Sequence, residues 1–124
     1  MLSIGTVVVG VGDLNRAVDF WTRALNYVPK REINPGDDFA ILVPAAGEGA
    51  HLALDVSETP VQEHPRIHLD LYAGDAADQA GEVERLVSLG ATRVRWDRYP
   101  EEPDFIVLAD TEGNRFCVID TSPR

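Results

Sequence analysis

Short apolar runs and one-sided apolar stripes follow one another along this chain in an order that occurs twice. Residues 3–9, with Ile4-Gly5-Thr6-Val7-Val8-Val9, read as a buried strand stopped by Gly10 and Gly12. Asp13 is a suitable N-cap for a helix whose Leu14, Ala17, Val18, Trp21 and Leu25 share one stripe, and Asn26 can take the left-handed conformation that ends it. Three strands follow at 27–33, 39–43 and 51–56, separated by Asn34-Pro35-Gly36-Asp37 and Ala45-Ala46-Gly47-Glu48-Gly49, both rich in turn residues. Residues 57–65, with Pro60 and Pro65 and no periodicity, form a linker. The order then repeats. Residues 67–72 are a strand; Asp75 caps a helix with Asp78 at its third position; Ala76, Ala80, Val83, Leu86 and Val87 make the stripe and Gly90 closes it. Strands at 91–96, 105–109 and 115–120 complete the set, the last two joined by the turn Asp110-Thr111-Glu112-Gly113-Asn114.

The two caps, Asp13 and Asp75, lie 62 residues apart. The pattern predicts an α+β fold of two tandem βαβββ modules, residues 1–56 and 66–124, which together make one domain over 1–124 because two copies are too few for an array. Each helix covers one face of its sheet. The opposite face must be covered or line a cavity, and eight strands curled into a shared cup would provide one.

Composition narrows the function without naming it. The chain has 124 residues, 21 acids against 11 bases and a formal charge of -10, which disfavours nucleic acid and anionic membranes as partners. The single Cys117 excludes an internal disulfide framework. Without an apolar run of about 18 residues or a recognisable leader, the expected location is cytoplasmic. Gly10-Val11-Gly12 with Glu32 about 20 residues on suggests a dinucleotide fingerprint. The third glycine is missing, position 15 is Asn, and the next strands form a meander, so a tight strand-to-helix turn explains the glycines.

Strand alternation selects candidate site residues. With Ile67, Leu69 and Leu71 turned to the helix, His68, Asp70 and Tyr72 face the cup; the same logic sends His51, Ala53 and Asp55 there from the fourth strand. The last strand offers either Arg115, Cys117 and Ile119 or Phe116, Val118 and Asp120. Trp96, Arg98 and Tyr99 open a loop near the expected mouth, where Trp96 and Tyr99 suit a wall that grips a flat molecule. Bland alternatives stand beside these. His68 also suits a polar strand position, Cys117 a small buried filler, and Asp70 a solvated or paired carboxylate.

In these residues the chain resembles the vicinal oxygen chelate superfamily of glyoxalase I, fosfomycin and bleomycin resistance proteins and extradiol dioxygenases. The resemblance rests on Val11-Gly12-Asp13-Leu14 running into Ala17-Val18-Asp19-Phe20-Trp21, on Arg66-Ile67-His68-Leu69-Asp70-Leu71, on Leu89-Gly90-Ala91, and on Leu108-Ala109-Asp110-Thr111-Glu112-Gly113-Asn114-Arg115-Phe116. It implies a cup, a homodimer and a ligand held inside. The four metal positions of the family's enzymes fall on Thr6, Ala53, His68 and Cys117, which selects Cys117 for the cup; a slip of the fourth strand by two would substitute His51 or Asp55 for Ala53.

Only His68 among these is a good ligand in the usual way, so the expectation is no metal cofactor, with one divalent ion as the alternative. The expected function is a glyoxalase/bleomycin-resistance-like binding protein that sequesters a neutral or cationic small molecule, of the kind that confers antibiotic resistance. Its ligand-binding residues would be Thr6, Ala53, Asp55, His68, Asp70, Trp96, Tyr99 and Cys117. The alternative is a metal-dependent lyase, isomerase or dioxygenase acting on a substrate with vicinal oxygens. In a cofactorless isomerase, His68 would be the catalytic base.

Overall fold

The computed structural model describes residues 1–124, and its elements follow from local chemistry. β1 (Thr6–Val11) starts later than the expected 3–9 and runs through Gly10 instead of stopping there, paired along its length with a later parallel strand and with Val8 exposed rather than buried. The chain turns into α1 (Leu14–Leu25) where the Asp13 side chain accepts from the Arg16 backbone N–H at 3.0 Å. Asn26 closes α1 at φ 54, ψ 51, and its N–H donates to the Thr22 carbonyl. The buried stripe is Leu14, Ala17, Phe20, Trp21 and Ala24, so Phe20 and Ala24 take the places expected for Val18 and Leu25. The edge-to-face contact of Phe20 and Trp21, centroids 5.0 Å apart, favours that rotation.

Three strands follow: β2 (Tyr27–Pro29), β3 (Phe39–Pro44) and β4 (His51–Val56). β2 is shorter than the expected 27–33. It ends at Pro29, which has no N–H to give, and beyond one bond from Lys30 N to Ile41 O the chain enters the Asn34–Asp37 turn. The sheet order is β1-β4-β3-β2, with β1 parallel to β4.

The second half repeats the plan with β5 (Asp70–Gly74), α2 (Ala76–Leu89), β6 (Thr92–Arg93), β7 (Phe105–Ala109) and β8 (Arg115–Asp120), in sheet order β5-β8-β7-β6 with β5 parallel to β8. Asp75 and Asp78 form a reciprocal capping box, each side chain accepting from the other's backbone N–H at 2.8 and 3.1 Å. Two strands depart from expectation. β5 begins at Asp70 rather than at 67, because its ladder opens at Asp70 opposite Cys117, and Ile67 is exposed. β6 is two residues long instead of 91–96. The next donor along β7, the Val107 N–H, goes to the Tyr99 hydroxyl at 2.9 Å, so the chain leaves the sheet edge after Arg93.

The stripe of α2 also differs. Ala76 and Ala80 are exposed, while Gln79 is buried beside Val83 and Leu86. A polar side chain is tolerated there because its Nε2 donates to two backbone carbonyls, Asp104 O and Val118 O, each at 3.0 Å.

Each half is a compact unit, residues 1–60 and 61–124. The first packs Val11, Phe20, Trp21, Leu42, Leu52 and Leu54; the second packs Val83, Leu86, Leu108, Phe116 and Val118. The hydrogen-bonded sheets hold four strands each, giving two tandem βαβββ modules of an α+β fold. No helix is long and apolar enough to cross a membrane.

Candidate functional site

The second unit holds a cavity of about 430 Å³ lined by residues between Pro65 and Ile119. Three cross-strand neighbours form one wall. Asp70 of β5, Cys117 of β8 and Val107 of β7 pair in register across the sheet, so their side chains share a face. Phe105, opposite Ile119, extends the same face, and Tyr72 and Trp96 add further rings to the lining. Phe116 and Val118, at the alternate positions of β8, are buried to 2% and 1% exposure. Of the two faces open for the last strand, Arg115, Cys117 and Ile119 are the set that lines the cavity.

His68 and Asp70 meet as expected from alternation. His68 Nδ1 lies 3.0 Å from Asp70 Oδ1, and both side chains are half-exposed. A proton on Nδ1 donated to the carboxylate leaves Nε2 as the free acceptor of the ring, the arrangement that orients a histidine for proton transfer or ligation. Cys117 is buried beside them. Burial first, then the negative charge of Asp70 and its hydrogen bond to the thiol, push Cys117 up to about 11. At neutral pH it is a thiol that donates to Asp70, not a nucleophilic thiolate.

The ligand atoms of His68, Asp70 and Cys117 all lie within 4.8 Å of one another. Asp70 as a third donor was missed in the sequence, although the strand expected over 67–72 already put it on one face with His68. The equivalent positions of the first unit carry no such group. There Val8 pairs with Ala53, with Thr6 two residues earlier, in the register of Asp70 with Cys117 and His68. That shared register leaves Ala53 where Cys117 stands, without a slip that would substitute His51 or Asp55. Ala53 is fully buried, whereas Thr6 and Asp55 are exposed on β1 and β4.

Around Trp96 the lining is charged and aromatic. The His64 ring packs on Trp96 with centroids 5.0 Å apart, and the Arg115 guanidinium lies 6.0 Å from the Trp96 ring centroid. His64 is no isolated surface residue: its Nε2 contacts Asp97 Oδ1 at 2.8 Å, and this bond holds the Asp97 carboxyl below the usual carboxylate range. The Trp96 Nε1–H is buried without an acceptor. Tyr99, expected to grip a ligand, instead spends its hydroxyl on Val107 and stacks on Phe105 at 5.2 Å, so it supports the wall rather than lining it. Arg98, Phe105 and Val107 were not singled out in the sequence as ligand-binding residues, nor was Arg115. The period-2 pattern of β7 and β8 could have found all but Arg98, which sits in a loop.

Solved structures share this fold at low identity. A glyoxalase/bleomycin resistance protein/dioxygenase family enzyme from Burkholderia phytofirmans PsJN superposes with a TM-score of 0.74 at 16% identity, covering 98% of this chain and 100% of that one. The genomically encoded fosfomycin resistance protein of Listeria monocytogenes gives 0.72 at 17%, covering 98% and 93%. A glyoxalase-related enzyme from Fulvimarina pelagi gives 0.71 at 19%, covering 98% and 89%. No curated protein matches the chain significantly by sequence. The glyoxalase-like domain family matches over residues 6–119, nearly the whole chain, and with the two βαβββ modules in place the protein belongs to that family.

Proposed function

We propose that this chain is a glyoxalase/bleomycin-resistance-like binding protein that takes a small, partly aromatic molecule into the cavity of its second module without needing a metal. The observation that carries the reading is the cavity itself. Its volume of about 430 Å³ lies in the range of small-molecule sites, and rings of Tyr72, Trp96 and Phe105 surround a few polar groups. The thiol of Cys117 stays protonated, and one nitrogen of His68 is committed to Asp70. A thermal-shift screen of aromatic natural products tests it. Ligand at a hundredfold excess over its Kd should stabilise the protein by about 2.7 kcal/mol, and Trp96→Ala should abolish the shift. A screen without hits, or hits indifferent to Trp96→Ala, would sink the reading.

One observation favours a second reading. His68, Asp70 and Cys117 supply the three protein donors that a catalytic zinc-class site requires, of types that suit such an ion, and so fit the divalent metal that the family's enzymes use. When bound, the ion would act as a Lewis acid toward substrate oxygens. Holding it demands ionisation of a thiol pushed up to about 11, so uptake would release a proton and strengthen with pH. The first reading expects weak or no binding of Zn²⁺, Ni²⁺, Mn²⁺ or Fe²⁺, no glyoxalase activity, and a melting temperature indifferent to chelator. Micromolar or tighter binding that His68→Ala removes would establish the second reading instead.

A further inference from the structure

The charges that line the cavity are unequally matched. Of the two carboxylates, Asp104 has a cation, with Arg124 Nη1 3.8 Å from its Oδ2, whereas Asp70 has His68 Nδ1 at 3.0 Å and the uncharged Cys117 thiol and keeps its negative charge. Neither lining arginine has a carboxylate. Arg115 donates from Nη1 to the neutral Glu63 carbonyl at 2.9 Å, with its guanidinium over Trp96. Arg98 makes no ion pair within 4 Å; its charge acts on the neighbouring Asp97 carboxylate, whose hydrogen bond goes to His64. The Trp96 ring lines the same wall, with its Nε1–H buried behind the surface. With Asp104 offset by Arg124, two guanidinium groups line the cavity against the single carboxylate of Asp70, a balance that favours an anionic guest.

We propose that the ligand of this cavity is a small aromatic monoanion, a carboxylate received by Arg98 and Arg115 with its ring against Trp96 and Phe105. The inference rests on the reading of the cavity as a ligand site and names its substrate class. A guanidinium presents a planar fork of donors that matches a planar oxyanion. Charges farther than about 8 Å from a bound ligand are largely screened, whereas the two arginines would be in contact. That outer field still opposes dianions on approach, which selects a single negative charge.

The test is a Trp-fluorescence titration with four probes of one shape: a naphthoate, the matching naphthamide, naphthylmethylammonium and naphthyl phosphate. The naphthoate should bind about tenfold or more tightly than the amide, with the ammonium weakest. Arg98→Gln, at the exposed rim where folding is not at stake, should cost the naphthoate about tenfold and the amide less than about twofold. Arg115→Lys keeps the charge but loses the fork, and should weaken the naphthoate selectively. If acid and amide bind alike and neither variant separates them, the anion inference falls while the ligand site stands. Tighter binding of the phosphate than of the naphthoate would overturn the single-charge selection. Failure of all four probes to bind would overturn the ligand-site reading as well.

Discussion

Replacing Gln79 by Leu removes two hydrogen bonds from the interior of the second module while keeping the side chain near its size. The amide is 9% exposed, and its Nε2 donates to Asp104 O and Val118 O, each at 3.0 Å. A net intramolecular bond contributes about 0.5–1.5 kcal/mol, so two contribute about 1–3 kcal/mol. The lower half of that range does not apply at Val118 O, which is buried and out of reach of water. Asp104 O keeps a second donor in the Asp120 N–H at 2.7 Å, which limits the loss there. A cost of about 2 kcal/mol follows, and at roughly 3–6 °C per kcal/mol for a chain between the small and large size classes, Tm should drop by roughly 6–12 °C. Calorimetry of parent and variant measures it.

Gln79→Glu separates hydrogen bonding from shape. Facing two carbonyl oxygens in the interior, the new carboxyl would have its folded pKa raised above the unfolded value of about 4.3. A raised folded pKa adds stability that is present below the unfolded value and lost as pH rises, so the Glu variant should be markedly less stable at pH 7 than at pH 4 relative to the Leu variant. A Leu variant within about 0.5 kcal/mol of the parent, with a Glu variant that shows no added pH dependence, would refute the claim that this amide anchors β7 and β8 to α2.

Two further outcomes are expected. Cys117, pushed from 9.0 up to about 11, should react with iodoacetamide at pH 8 about a hundredfold more slowly than an unperturbed thiol, and its ionisation should erode stability as pH rises from about 9 toward 11; a rate equal to that of free cysteine would contradict the burial and the Asp70 contact. β1 and β2 end one four-stranded sheet and β5 and β6 the other, and unpaired edges invite cover, so light scattering at micromolar concentration should find a twofold dimer rather than only monomer.

Local chemistry was legible before any coordinates. Asp13 and Asp75 announce helix starts because a short carboxylate satisfies an orphan N–H wherever it precedes an apolar stripe, and Asn26 and Gly90 announce stops because few residues accept positive φ. The same holds for β4, β7 and β8, whose bounds agree with their apolar runs. The meeting of His68 and Asp70 was expected from strand alternation and is found, although β5 begins only at Asp70 and His68 stands just before it.

What remained out of reach depends on partners distant in sequence. β6 stops at Arg93 because a tyrosine hydroxyl at position 99 takes an amide of β7, and no window around residues 91–96 contains that fact. Gln79 faces inward because two carbonyls 25 and 39 residues away lie within reach of its amide, which reverses the usual preference of a polar side chain for water. The cluster of His68, Asp70 and Cys117 exists because β5 runs parallel to β8 in one register out of several that the apolar pattern alone permits. The matching of charges in the cavity is of the same kind. Sequence counts acids and bases, but only the folded chain decides which carboxylates find a cation and which arginines line the cavity without a carboxylate.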